Sequence, residues 1–400
     1  MLQQINSFSS GKNRVAYLST YPPRECGIAT FTKDLIDATD ELNEFEPTVI
    51  AVNKTGAIHD YDRRVNLEIQ RDSVDDYVQA ARYINTSNIQ LVNIQHEFGL
   101  FGGDYGEYLT NFLENIKKPV VTTLHTVHPG FKQKALEVLK CISDKSASIV
   151  VIAHAAIKIL KKQGIPCKNC VVIPHGCPKI DLVDNEPIKA SLGLKNRLVT
   201  STFGLISSGK GIEYAIRALP YVVEKEPRII YLIIGQTHPE VRKNEGEKYR
   251  NELMKLVSEL GLEEHVRFDN RFLSKPELIR YLQATDIYLT PYISPNQISS
   301  GALTYAIGAG KPAVSTPYFH AQEMLANDRG VLCKFNDPAS LADGITKLLD
   351  ESLRKTISRR VYRYSRRFLW SNVARTYSDL FKTLIKNYGW IQTGLPNDKT

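Results

Sequence analysis

Short runs of β-branched and aliphatic residues alternate along the chain with longer stretches whose apolar positions recur every three to four residues. That alternation is the pattern of parallel strands joined by helices. In the first half the strand-like runs fall at 14–20, 48–53, 89–95, 119–126, 148–154 and 170–175. Helical periodicity fills 30–42, 74–84, 105–116 and 131–142 between them. From Gly176 to Arg197 the pattern lapses into a polar stretch with two prolines and no long apolar run. It resumes at Leu198, with strands predicted at 198–205, 229–235, 266–272, 286–291, 313–315 and 330–334.

Two successive strand sets predict an α/β protein of two doubly wound, Rossmann-like domains facing across a cleft. The expected organisation is a first domain over 1–180, a linker over 181–197 and a second domain over 198–370. A long amphipathic helix at 371–388, within a terminal segment 371–400, is expected to cross back onto the first domain.

Composition narrows the class. A hydrophobic share of 42% with 24% charged residues excludes wholesale disorder. No run reaches the roughly 18 apolar residues of a spanning helix. The opening MLQQINSFSSGKNR lacks the apolar stretch of a secretory signal, so a cytoplasmic location is expected. Cysteines at 26, 141, 167, 170, 177 and 333 are too sparse for a disulfide scaffold. The single C-x-x-C at Cys167 and Cys170 has no second pair, so no metal site is expected. Lysine and arginine number 51 against 43 acids, a net charge of +8, which fits a phosphate-bearing ligand or an anionic surface alike. No zinc-finger or helix-turn-helix pattern supports nucleic-acid binding.

In doubly wound sheets ligands bind beyond the carboxyl ends of the strands, so the residues there carry the functional information. After the first strand, Gly27 stands just before a helix expected to start near Thr30. It fits close approach of backbone to a ligand, or a plain tight turn. After the third strand, QHEFGLFGGDYG packs four glycines into eight residues beside His96, Glu97 and Asp104. It does not match G-x-G-x-x-G; it reads as a flexible polar loop, with or without acceptor contact. His125 ends the fourth strand in TTLHTVHPG, placed either to hydrogen-bond at the cleft or to serve the fold.

The second domain opens with FGLISSGKG, a strand, a glycine-serine loop from Gly204, then Lys210 before a helix. Loop N–H groups plus an ammonium make a phosphate site; a lysine at a helix start is also commonly just solvated. Gly211 after Lys210 rules out a Walker A motif. Further on, Ser299, Ser300 and Gly301 open a short helix that stops at Gly308–Gly310. Alone this is an N-cap; beside Lys210 it is also room for a phosphate.

Together these segments resemble the retaining nucleotide-sugar glycosyltransferases of family 4, which have the GT-B fold. The resemblance covers Gly27, TLHT, VIPHG, FGLISSGKG, DIYLTPY and AIGAGKPAVST, in order. It implies that Lys210 holds the donor diphosphate, that Ser300 and Gly301 supply backbone donors beside it, and that Gly27 faces phosphate and sugar. It also implies that His125 lies close to the reacting sugar. Gly204 and Ser299 complete the implied donor set.

Three positions depart from the family pattern. Leu205 follows Gly204 where the family has arginine, and Gln297 and Tyr305 occupy the places of two glutamates. Gln297 keeps hydrogen-bonding ability without charge, and Tyr305 cannot accept two hydrogen bonds side by side as a carboxylate does. The pattern Q-x-x-S-G-x-L-x-Y resembles a subgroup of this family that carries the same exchange.

The implied activity is transfer of a hexose, mannose or glucose, from a GDP- or UDP-sugar to a hydroxyl of a carbohydrate or glycolipid, with retention. His125, Lys210 and Gln297 are the expected catalytic residues, and no cofactor is implied. The rivals are a phosphorylase of the same fold and an inactive binding protein. A basic stretch, with Arg354, Lys355, Arg359, Arg360, Arg363, Arg366 and Arg367 inside fourteen residues, fits a solvated helix face better than peripheral contact with anionic lipid.

Overall fold

The computed structural model describes the backbone of residues 12–167 and 169–393; the opening segment read for a signal and the end of the 371–400 tail lie outside them. The chain divides into two units, one running to Pro174 and including the segment from Trp370, the other His175–Leu369.

The first unit holds seven parallel strands: β1 (Asn13–Ser19), β2 (Phe45–Asn53), β3 (Val65–Gln70), β4 (Ile89–His96), β5 (Val120–Leu124), β6 (Ser148–Val151) and β7 (Cys170–Val172). Their order is β3-β2-β1-β4-β5-β6-β7, all paired in parallel. Central strands are buried on both faces, which is why they read as unbroken apolar runs. Strand β3 escaped the sequence reading because VNLEIQ is an edge strand of alternating exposure, without such a run.

The second unit holds β8 (Leu198–Phe203), β9 (Ile229–Ile234), β10 (Val266–Asp269), β11 (Ile287–Thr290), β12 (Ala313–Ser315) and β13 (Val331–Leu332). Their order is β10-β9-β8-β11-β12-β13, again all parallel. Both sheets thus have the doubly wound order of a Rossmann-like domain.

The polar stretch expected as a linker is instead part of the second unit. It forms helix Glu186–Ser191 and buries Ile180 and Leu194 in that unit's core. The backbone N–H of Cys177 donates to Phe368 O at 2.7 Å.

Helix Trp370–Thr393 packs within the first unit. Val373, Ala374, Tyr377 and Phe381 are buried with Tyr17, Phe31 and Phe45. The Tyr377 and Thr123 hydroxyls bond at 2.9 Å, and Lys382 pairs with Glu44 at 2.5 Å. No helix among the described residues is long and apolar enough to cross a membrane.

Candidate functional site

Strand order reverses at β8/β11 in the second sheet, the switch point beyond which a doubly wound fold opens a crevice. Three glycines shape the edge there. Gly204 follows β8 with φ +126°, and a Cβ on Gly235, which follows β9, would sit 2.0 Å from Gly204 O. Gly211 has φ +62°, and a Cβ on it would meet Pro291 O at 2.1 Å. The start of helix Ile212–Val223 therefore lies against the end of β11 as only glycine permits.

Between these glycines a single 3₁₀ turn, Ser208–Lys210, presents the lysine. Lys210 Nζ donates to the Tyr292 hydroxyl at 2.9 Å and lies 4.5 Å from that ring's centroid. A Cβ on Gly204 would stand 3.5 Å from the same ammonium, so Gly204 leaves it room. Tyr292 is itself stacked on Tyr318, with centroids 5.1 Å apart. The Tyr292 phenol and ring thus hold the cation, and among the described residues no carboxylate pairs with it.

Beyond β11, helix Gly301–Gly308 begins with Ser300 as its cap, Oγ accepting from Leu303 N at 3.2 Å. The Ser300 backbone N–H donates to His320 Nδ1 at 2.9 Å. The expectation that Ser300 offers its N–H to a ligand is therefore corrected: a second helix, Phe319–Leu325, takes it. Helix geometry leaves the N–H groups of Gly301 and Ala302 without intrahelical acceptors. Burial pushes the His320 imidazole down to about 3, so it stays neutral and accepts this bond at any ordinary pH.

His175 stands at the same helix start. Its Nδ1 donates to Gly176 O at 2.7 Å, which leaves Nε2 as the acceptor atom, and a Cβ on Gly301 would meet Nε2 at 2.7 Å. His175 and His320 were missed as site residues. VIPHG carried a signal for the first at a strand end, while nothing local marks the second. Tyr292, directly after β11, was also passed over.

Tyr305 lies one turn into the helix, 6% exposed, its ring 6.2 Å from His175 and 6.4 Å from Phe203. It is a core residue, and its expected donor contact is not available in this conformation. Gln297 is exposed, its side-chain Nε2 donating to Ser299 O at 2.5 Å while its backbone carbonyl accepts from His320 N at 3.1 Å. Leu205 is half-buried.

In the first unit the order reverses at β1/β4. Helix Gly27–Asp40 starts three residues earlier than expected, so Gly27 is its first residue, with open space where a Cβ would go. No acid stands in its first turn, and its N-cap, Cys26, makes no side-chain capping bond to the helix.

His125 lies at the end of β5, mostly buried. A chain of amides fixes its ring: Asn93 Nδ2 donates to Val121 O at 3.2 Å, Gln95 Nε2 to Asn93 Oδ1 at 2.5 Å, and Gln95 Oε1 is left to accept His125 Nε2–H at 2.8 Å. The neutral tautomer therefore keeps its lone pair on Nδ1. Phe31, on the Gly27 helix, stands edge-on to this ring at 4.7 Å and to Trp370 at 5.2 Å.

The expected acceptor group separates on folding. His96 is closed to solvent, stacked on Phe101 at 5.8 Å, and neither ring nitrogen has a hydrogen-bond partner. Burial pushes it down to about 3, so it is a neutral core residue and not an acceptor contact. Glu97 accepts from Thr126 Oγ1 at 2.5 Å and Phe98 N at 3.1 Å, its carboxyl pushed up by burial. Asp104 alone of the three is exposed.

Nor is the glycine-rich loop loose. A Cβ on Gly102 would lie 2.1 Å from Arg71 O, and Gly102 N donates to the Tyr77 hydroxyl at 3.1 Å. Gly102 thus permits close packing on Arg71 and on Tyr77 of helix Val74–Thr86.

All six cysteines are free, and no group of three metal-ligating side chains is gathered among the described residues. The basic stretch forms helix Glu351–Ser365. Arg366 is half-buried, bonding Gly308 O at 2.5 Å and lying 3.8 Å over Tyr362, while Arg360 makes a surface ion pair with Asp328 at 3.4 Å.

Residues 184–367 match the family described as glycosyl transferases group 1, which spans most of the second unit. An uncharacterized glycosyltransferase of Methanocaldococcus jannaschii is 24% identical over 254 residues, 62% of this chain and 61% of that protein. Spore coat protein SA of Bacillus subtilis is 25% identical over 207 residues, 49% and 52% of the two chains. The chain thus spans little more than half the length of these relatives. Among solved structures, HepE of Anabaena with UDP and glucose aligns with a TM-score of 0.75 at 16% identity, covering 93% of this chain and all of that one. Sucrose-phosphate synthase from Thermosynechococcus elongatus aligns at 0.78 and 16%, covering 94% and 100%. These structures establish the GT-B fold class, with two Rossmann-like parallel-sheet domains and a C-terminal helix.

Proposed function

We propose that the protein is a retaining hexosyltransferase of family 4, transferring mannose or glucose from a GDP- or UDP-sugar to a hydroxyl of a carbohydrate or glycolipid acceptor. The observation that carries this reading is the Lys210 ammonium, held by Tyr292 beyond the switch point of the second sheet and paired with no carboxylate among the described residues. The group 1 glycosyl transferase match over 184–367 supports it.

In this reading the donor diphosphate lies against Lys210, with the N–H groups of Gly301 and Ala302 as further donors. As the anomeric bond breaks, negative charge grows on the departing phosphate. A fixed ammonium and fixed amides stabilise that charge without reorganising. A charge-assisted hydrogen bond from Lys210 contributes about 1.5–3 kcal/mol. His125, its ring locked by Gln95, is the first unit's candidate catalytic residue in this reading, and Gly27 opens a helix end in the same unit. Gln297, exposed and uncharged, meets the sugar as an amide in place of the family's carboxylate. The six free cysteines suit a cytoplasmic enzyme.

With no carboxylate at 297 or 305, and Tyr305 buried, a phosphorylase that uses phosphate in place of a nucleotide is the second reading. One calorimetric screen separates them. UDP, GDP, ADP, inorganic phosphate and a hexose 1-phosphate are titrated into wild type and Lys210→Ala. Binding of one nucleoside diphosphate that weakens at least tenfold in the variant supports the transferase. Binding of phosphate and sugar phosphate alone, sensitive to the same change, moves the assignment to the phosphorylase. For the transferase, NMR of the first product formed reads retention directly.

A further inference from the structure

The second unit carries a cavity of about 540 Å³ at the opposite edge of its sheet from Lys210. Leu198, Arg228, Asp286 and Pro312 line it, each at or just before the amino end of a strand. Strand β8, six residues long, separates it from the Gly204 end by roughly 20 Å. Nothing in the proposed reaction uses this end of the sheet.

Six cationic side chains line the cavity: Lys189, Arg197, Arg228, Lys311, Arg354 and Lys355. Three of them are matched by acids. Lys189 pairs with Asp286 at 2.8 Å and Glu186 at 3.0 Å, Lys355 with Glu351 at 2.5 Å, and Arg228 with Glu226 at 2.8 Å. The other three have only backbone carbonyls among the described residues. Lys311 Nζ donates to Gln283 O at 2.9 Å, and Arg354 to Leu348 O at 2.7 Å and Leu349 O at 3.1 Å. Arg197 donates to Ile229 O at 3.1 Å and Glu264 O at 2.6 Å, while its buried Nε has no acceptor among the described residues.

Asp286, the most buried acid of the cavity, is already saturated by Lys189, Asn185 Nδ2 and Val199 N. Burial accordingly pushes the Lys311 ammonium down to about 8, Asp286 offsetting this only in part. A site where three cations hydrogen-bond no carboxylate among the described residues and one buried guanidinium N–H lacks a partner is short of acceptor oxygens. Leu182 and Val183 line the same cavity and are 46% and 48% exposed, apolar surface for the uncharged part of a ligand. The volume lies in the range of small-molecule sites.

We propose that this cavity binds a small phosphomonoester, its phosphate taken by Lys311, Arg197 and Arg354 and its body resting on Leu182 and Val183. A sugar phosphate and a nucleoside monophosphate share that chemistry, and the test distinguishes them.

Calorimetric titration at pH 7 with glucose 6-phosphate and with AMP, against a sodium chloride control, is run on wild type, Lys311→Met, Arg354→Ala and Lys210→Ala. Saturable binding of one phosphomonoester, kept in Lys210→Ala and weakened at least tenfold in both Lys311→Met and Arg354→Ala, is the expected result. Binding that Lys210→Ala abolishes and the cavity variants leave intact overturns the proposal, as does absence of saturable binding of either compound. Since Lys311 is buried, Lys311→Met is read only if its circular dichroism matches wild type. Arg354→Ala, on a helix flank, otherwise decides. Failure here leaves the donor site at Lys210 untouched, because that site is read from nucleoside diphosphates.

Discussion

His320 takes the backbone N–H of Ser300 at 2.9 Å, so an imidazole from one helix closes the end of another. The bond withdraws from any ligand the donor that the Ser-Ser-Gly sequence advertises, and fixes the pitch at which Gly301 and Ala302 present theirs. His320→Phe leaves a buried N–H without a partner, at a cost of about 1–3 kcal/mol. Urea unfolding is expected to show that loss, with nucleotide affinity falling beyond it. His320→Asn, which keeps an acceptor, is expected to recover part of both.

His96 presents the opposite case, a buried imidazole with neither nitrogen bonded. Replacing it by phenylalanine, beside Phe98 and Phe101, removes a desolvated polar group and keeps the ring contacts. His96→Phe is expected to raise the urea midpoint by the equivalent of about 1 kcal/mol or more and to leave transfer activity within twofold. A large loss of activity at unchanged stability would return His96 to the acceptor site.

The two histidines also set an acid limit. Each is pushed down from its ordinary 6.5 to about 3 in the folded protein. Between those values the unfolded chain binds more protons than the folded one. Stability is therefore whole above pH 6.5 and falls as pH drops, by about 1.4 kcal/mol per pH unit for each group. Urea midpoints at pH 7.5 and 5.5 check this, and the difference is expected to shrink by roughly half in His96→Phe.

Two glycines at helix starts are expected to behave differently. Gly211→Ala forces a Cβ into Pro291 O at positive φ and should destabilise by more than about 2 kcal/mol. Gly27→Ala meets nothing within 4 Å, so the thermal midpoint should move little. If a ligand approaches that open side, turnover falls in Gly27→Ala while the fold is kept.

Gln95 holds the tautomer of His125 through Nε2, one edge of the ring. Gln95→Met is expected to lower kcat by about tenfold or more with KM for the donor little changed, because orientation is lost and binding is not. Gln95→Glu, which still accepts from Nε2, should recover most of it. Equal effects on kcat and KM in both variants would mean that Gln95 serves only the core.

Strand and helix content was legible because it depends on local periods. IIYLII over 229–234 reads as a buried strand wherever it sits, and each βα unit places its own strand end at one edge of the sheet. The sequence alone therefore determined the βα units of both Rossmann-like sheets and the strand-end placement of Lys210, which follow from residues close together in the chain, whereas its partner Tyr292 came from 82 residues away. Edge strand β3 lacked the period, and the supposed linker lacked an apolar run although Ile180 and Leu194 are core residues.

Pairings between distant residues were decided only by the tertiary structure. That His320 would take the N–H of Ser300, that Gly102 would press on Arg71 and not flex, and that Tyr305 would face Phe203 all depend on which elements meet in space. So does the gathering of Arg197, Lys311 and Arg354 around one cavity from segments more than 40 residues apart in the chain. Burial and hydrogen-bond partners are properties of neighbours, and in a parallel sheet the neighbours of a residue come from far along the sequence.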